Sequence, residues 1–246
     1  MADWCFFAYV QGPCYINGNL RREGERMSRV DQPKSIAKAT YIMFFAIIAV
    51  WIGAWILKIQ LGRGIPWLDT SQGGFVYWSI AKVIIWIIPA LWLLKMSGRT
   101  IRTTLNLSNW KSWLGWGSGL GMLIAVTGIV PNYLLGHPIL PTEFSFPLLN
   151  VVLIAPTLEE FLMRGAILGN LQLRYSFWTA NVITSLMFVI LHIPGWYFMG
   201  VLLDNLAQPI GGAFSIVLVS LAFGYATHRS RSVMGGVLCH FLNNLF

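Results

Sequence analysis

Acid is scarce in this chain: 246 residues hold only nine Asp and Glu against seventeen Lys and Arg, and charged residues together make up 11%. Soluble domains carry about 25% charged residues, so an ordinary water-facing globule is excluded. Cysteine is rarer still, with three. Cys5, Cys14 and Cys239 form neither an even disulfide framework nor a C-x-x-C pair that could hold zinc through sulfur. No H-E-x-x-H sequence occurs among the four histidines, which removes the usual helical signature of a zinc peptidase. The first 26 residues lack the compact apolar core and cleavage site of a signal peptide. They end in Arg21, Arg22, Glu23, Gly24, Glu25 and Arg26, a run whose codons can form a ribosome-binding site, which predicts translation from Met27.

What the chain does have is apolar sequence, 56% of its residues. Stretches of roughly membrane-spanning length lie near residues 40–59, 75–94, 114–135, 147–173, 178–193, 212–227 and 233–246. The fold class is therefore an all-α, polytopic membrane bundle of about seven transmembrane helices, with residues 196–203 as a loop or a re-entrant piece. Residues 1–39 read as a cytoplasmic tail, 40–145 as N-terminal membrane helices and 146–246 as a C-terminal core. Twelve tryptophans, among them Trp51, Trp55, Trp67, Trp110, Trp113 and Trp178, are expected at span ends or on lipid faces, not in a cofactor box.

The formal charge of +8 raises the question of nucleic acid. The bases, however, sit in short loops and follow the positive-inside rule, so the expected partners are the bilayer and not nucleic acid. An N-in, C-out topology puts Lys95, Arg99, Arg102, Lys111, Arg174, Arg229 and Arg231 toward the inside, leaving only Lys58 and Arg63 clearly outside. The loops 131–143 and 194–211 contain no Lys or Arg at all. A multi-pass protein of the cell membrane is the expected setting.

Against this background Glu159 and Glu160 stand out, side by side within an apolar run. An ionisable group at mid-bilayer costs about 2.5–3.5 kcal/mol even on lenient insertion scales, so such residues usually serve a site or a pair. Glu160 and Arg164 are four apart and share a helix face, as an intrahelical ion pair requires, while Glu159 points about 100° away and is expected to stay free. The same spacing puts Phe188 with His192, and His240 with Asn244. Glu159 and His192 also lie about 22 Å from the turn joining their helices, hence at one depth.

A carboxylate facing a neutral imidazole can hold and deprotonate a water, and His240 with Asn244 can donate to an oxyanion, an inventory that fits amide hydrolysis. A metal reading uses the same groups, with Glu159, His192 and His240 as zinc ligands. Lys82 has no evident partner and either snorkels or lines a cavity; His137, His228 and Asp204 read as loop or topological residues.

E-E-F-L-M-R at 159–164, F-V-I-L-H at 188–192 and H-F-L-N-N at 240–244 resemble the E-E-x-x-x-R, F-x-x-x-H and H-x-x-x-N motifs of the CAAX-protease and bacteriocin-processing (CPBP, or Abi) intramembrane endopeptidases. The resemblance covers roughly residues 147–246, with the motifs in order. It implies that Glu159 and His192 activate water, that His240 and Asn244 form the oxyanion hole, and that Glu160 and Arg164 organise the site. It also implies a peptide or membrane-protein substrate and favours a glutamate mechanism without cofactor over zinc. A noncatalytic immunity or scaffold protein of the same family and a small ion-coupled transporter are the alternatives.

Overall fold

In lipid every backbone N–H and C=O must be satisfied within the protein, and in the computed structural model, which describes residues 22–246, helices do all of this work. No strand occurs among the described residues. Cys5, Cys14 and most of the segment ahead of Met27 lie outside them.

The expected spans correspond to helices α1 (Arg22–Gly64), α2 (Ser71–Met96), α4 (Trp110–Leu134), α5 (Phe146–Leu171), α6 (Phe177–Phe198), α8 (Ala213–Ser230) and α9 (Val233–Leu245). Two short helices, α3 (Ile101–Leu105) and α7 (Leu202–Ala207), sit in connections. Five segments, 32–64, 71–96, 101–134, 146–171 and 177–198, are long and apolar enough to cross a membrane; α9 is apolar but shorter. Residues 196–203 form the end of α6, a turn at Gly200 and the start of α7. Exposed Ile42, Phe45, Leu123, Val126, Leu186 and Leu218 give the bundle an apolar outer face suited to lipid.

Three wide π turns interrupt the long helices. Those at Val83–Ile87 in α2 and Asn150–Ile154 in α5 lie just ahead of Pro89 and Pro156. A proline ring removes one helical N–H and crowds the carbonyl four residues back, and an extra residue in the turn relieves that conflict. The third, Phe161–Leu168, begins directly after Glu160. Arg99 braces it, donating from Nη1 to Gly165 O at 2.7 Å and from Nη2 to Ala166 O at 2.9 Å and Asn170 Oδ1 at 2.5 Å. Burial pulls the Arg99 guanidinium down to about 10, so it remains charged at neutral pH. Asn170, fully buried, donates in turn to Thr40 Oγ1 and Leu93 O, both at 3.2 Å, tying α1 and α2 to α5.

α9 packs along α4 through small residues. Gly117, Gly121 and Ala125 repeat every four positions and are buried. A Cβ on Gly117 would stand 2.8 Å from Gly235 O, and one on Gly121 3.1 Å from Cys239 Cα. Hydrogen in place of a side chain is thus what lets the two backbones meet, the usual basis of close helix contact in membranes.

Lys58 and Asp69 form an exposed ion pair at 2.6 Å beside the α1–α2 connection. One of the two cations that depart from the inside bias is therefore locally neutralised.

Candidate active site

The polar residues of the three motifs are carried on helices of the C-terminal core: Glu159, Glu160 and Arg164 on α5, His192 on α6, His240 and Asn244 on α9. The neighbouring glutamates diverge. Glu160 is fully buried, and its Oε1 accepts from Arg164 Nη1 and from His240 Nδ1, both at 3.0 Å. Arg164 also donates from Nη2 to Ser220 Oγ at 2.6 Å and Ser220 O at 2.9 Å, which adds α8. Its guanidinium lies over the Phe188 ring, 4.6 Å from the centroid, and His240 stacks on Phe223 at 4.5 Å. Four helices are thereby joined by one buried network that leaves neither charge of the Glu160–Arg164 pair without a counter-charge.

Glu159 turns the other way, into a cavity of about 470 Å³ that His192, His240, Asn243 and Asn244 also line. The expectation that Glu159 stays free is corrected here: Lys82 Nζ on α2 lies 3.7 Å from its Oε1, and both side chains are about nine-tenths buried. Lys82, left without a partner on sequence grounds, thus belongs to the site. No short-range signal could have found it, because 77 residues separate the two.

His192 Nδ1 lies 2.7 Å from Phe188 O, a carbonyl that can only accept, so Nδ1 carries a proton and, in the neutral ring, Nε2 holds the lone pair. Glu159 and His192 face a common space, with no hydrogen bond between them among the described residues. Asn244 Nδ2 donates to Val151 O at 2.9 Å, tying α9 to the first half of α5, and its Oδ1 accepts from Asn243. His240 has Nδ1 committed to Glu160; it can donate toward the cavity only from a protonated Nε2, with Glu160 as counter-charge.

The N-terminal helices supply one side of the cavity wall. Trp51 and Trp55 of α1 and Trp78 and Trp86 of α2 form a contiguous aromatic wall, with ring centroids 4.3 Å apart for Trp55 and Trp78 and 4.8 Å for Trp51 and Trp86. The belt assignment is corrected for Trp51 and Trp55, which turn inward, while Trp67, Trp110 and Trp178 are exposed as expected. The lining runs from mid-helix residues such as Trp86, Glu159 and Phe223 to Met199, at the end of α6 away from the basic loops around Arg99, Arg174 and Arg229.

For zinc, the residues do not converge as a ligand set. Among the described residues no three His, Cys, Asp or Glu side chains are grouped to hold a metal ion. His137 is exposed in a loop, as expected, whereas His228, read as a loop residue, lies in the last turn of α8 and stacks on Phe177 at 3.9 Å, outside the cavity lining.

Residues 141–246 match the model of the family described as type II CAAX prenyl endopeptidase Rce1-like, in agreement with the CPBP resemblance of the three motifs. All seven motif residues fall inside the matched segment, whereas Lys82 and the tryptophan wall fall outside it. No curated protein and no solved structure matches the chain. At family level the match supports a CAAX-type intramembrane peptidase in a multi-pass membrane protein.

Proposed function

We propose, on the premise of that family match, that the chain hydrolyses a peptide bond of a peptide or membrane-anchored substrate with a water held between Glu159 and His192. The observation that carries this reading is that Glu159, His192, His240 and Asn244, from three helices, line one cavity while Glu160 is withdrawn from it. The water is oriented by the His192 Nε2 lone pair and gives its proton to the Glu159 carboxylate as its oxygen attacks the scissile carbonyl carbon. Asn244 and a doubly protonated His240 stabilise the oxyanion. When the C–N bond breaks, the leaving amine takes the proton back from Glu159, so no net proton is gained or lost. Glu160 and Arg164 hold His240 and α8 in place and do not touch substrate.

A glutamate-type mechanism is favoured because Glu159, His192 and His240 are not grouped as a metal-ligand set among the described residues. The protein would reside in the cell membrane with N-in topology, which points the Met199 end of the cavity outward. The family description points to a prenylated C-terminal CAAX peptide as the first substrate class to try. The test is incubation of purified protein with such a peptide and its unprenylated counterpart, with products identified by mass. Cleavage at one internal bond, lost in Glu159→Gln, supports the proposal; both peptides intact supports the noncatalytic alternative.

A further inference from the structure

Lys82 lies eleven residues inside α2, about 17 Å from its Ser71 end at helical rise. That is too deep for an ammonium to reach the headgroups along its own side chain, which removes snorkelling as the reason for its presence. A lysine at this depth is expensive unless paired. Its ammonium lies 3.7 Å from Glu159 Oε1 and 5.1 Å from the centre of the Trp86 ring, itself almost fully buried. Glu160, in contrast, already has its cation in Arg164. The site thus contains two separate charge pairs, one closed off around Glu160 and one facing the cavity at Glu159.

We infer that Lys82 is a positioning residue for hydrolysis: its ammonium fixes the Glu159 carboxylate toward the cavity and balances its charge in the absence of bulk water. This rests on the hydrolytic reading above. The residue comes from outside the family-matched segment, so α2 is part of the working site and not only a wall for it.

Two measurements on the full chain test this. In the first, thermal unfolding in detergent is compared for Glu159→Gln, Lys82→Met and the double variant. A pair predicts that the double variant loses less than the sum of the single losses, because each single change strands a buried charge. In the second, cleavage of the prenylated CAAX peptide is followed. Lys82→Met is expected to lower kcat by about 10- to 100-fold with KM within about twofold, the pattern of a misaimed catalytic group. Lys82→Arg, which keeps the charge, is expected to recover most of that loss. Additive losses of stability, or a Lys82→Met chain with wild-type kcat, overturn the inference. Failure of the unmodified chain to cleave, with the stability losses still coupled, refutes the hydrolytic reading and Lys82's part in it while leaving the ion pair standing.

Discussion

Removing the Glu160 carboxylate probes the fold and the site at once. In Glu160→Ala, Arg164 Nη1 and His240 Nδ1 lose the one oxygen they share, and among the described residues Arg164 keeps Ser220 as hydrogen-bond partner and the Phe188 ring, but no directly bound counter-charge. Both members of the Glu160–Arg164 pair have side chains with no exposure, so water cannot replace the lost acceptor. Breaking a buried pair from one side costs about 3–5 kcal/mol, because a charge is stranded. The double variant Glu160→Leu with Arg164→Met removes both charges and should recover most of that loss, since an apolar pair of similar volume is often neutral. Glu159→Gln faces a cavity and should cost less stability than Glu160→Ala. Denaturant unfolding in mixed micelles, followed by tryptophan fluorescence, measures all three. A Glu160→Ala protein within about 1 kcal/mol of wild type, or a double variant worse than the single, would refute the network as the support of this site.

Gly117→Val should push α9 off α4, because its Cβ would meet the Gly235 carbonyl, and should abolish cleavage by displacing His240 and Asn244; normal activity of a folded variant contradicts this. Asn244→Ala should lower kcat by about 10²–10³-fold at unchanged KM if its amide serves the oxyanion, whereas a change in KM alone would assign it to substrate binding. With the native cysteines replaced by alanine, Met199→Cys at the cavity mouth should react with a membrane-impermeant maleimide from the side opposite Lys111→Cys. Labelling of both from one side refutes the placement of the Met199 end of the cavity away from the basic loops.

Much of this site is legible along the chain because it is written at helical spacing. The Glu160–Arg164 pair and the shared depth of Glu159 and His192 follow from four-residue periods and helical rise, and the structure brings those residues together as expected. The partner of Glu159 was not legible, since Lys82 meets it only through the packing of α2 on α5. Trp51 and Trp55 were misassigned for a related reason: an aromatic residue suits a membrane interface and a cavity wall equally well, and only tertiary packing chooses between them. The π turns left a partial trace in Pro89 and Pro156, but the one after Glu160 depends on Arg99, 66 residues from the carbonyl it binds at Gly165.

The central claim is that Glu159 and His192 activate water without a metal. It is tested most directly by cleavage of one substrate by wild type, Glu159→Gln and His192→Ala, each shown to be folded by its unfolding transition, with and without a chelator. The account predicts loss of at least about 10²-fold in both variants and an unmodified chain indifferent to the chelator. Activity that survives either substitution, or that vanishes with chelator and returns with zinc, would contradict it.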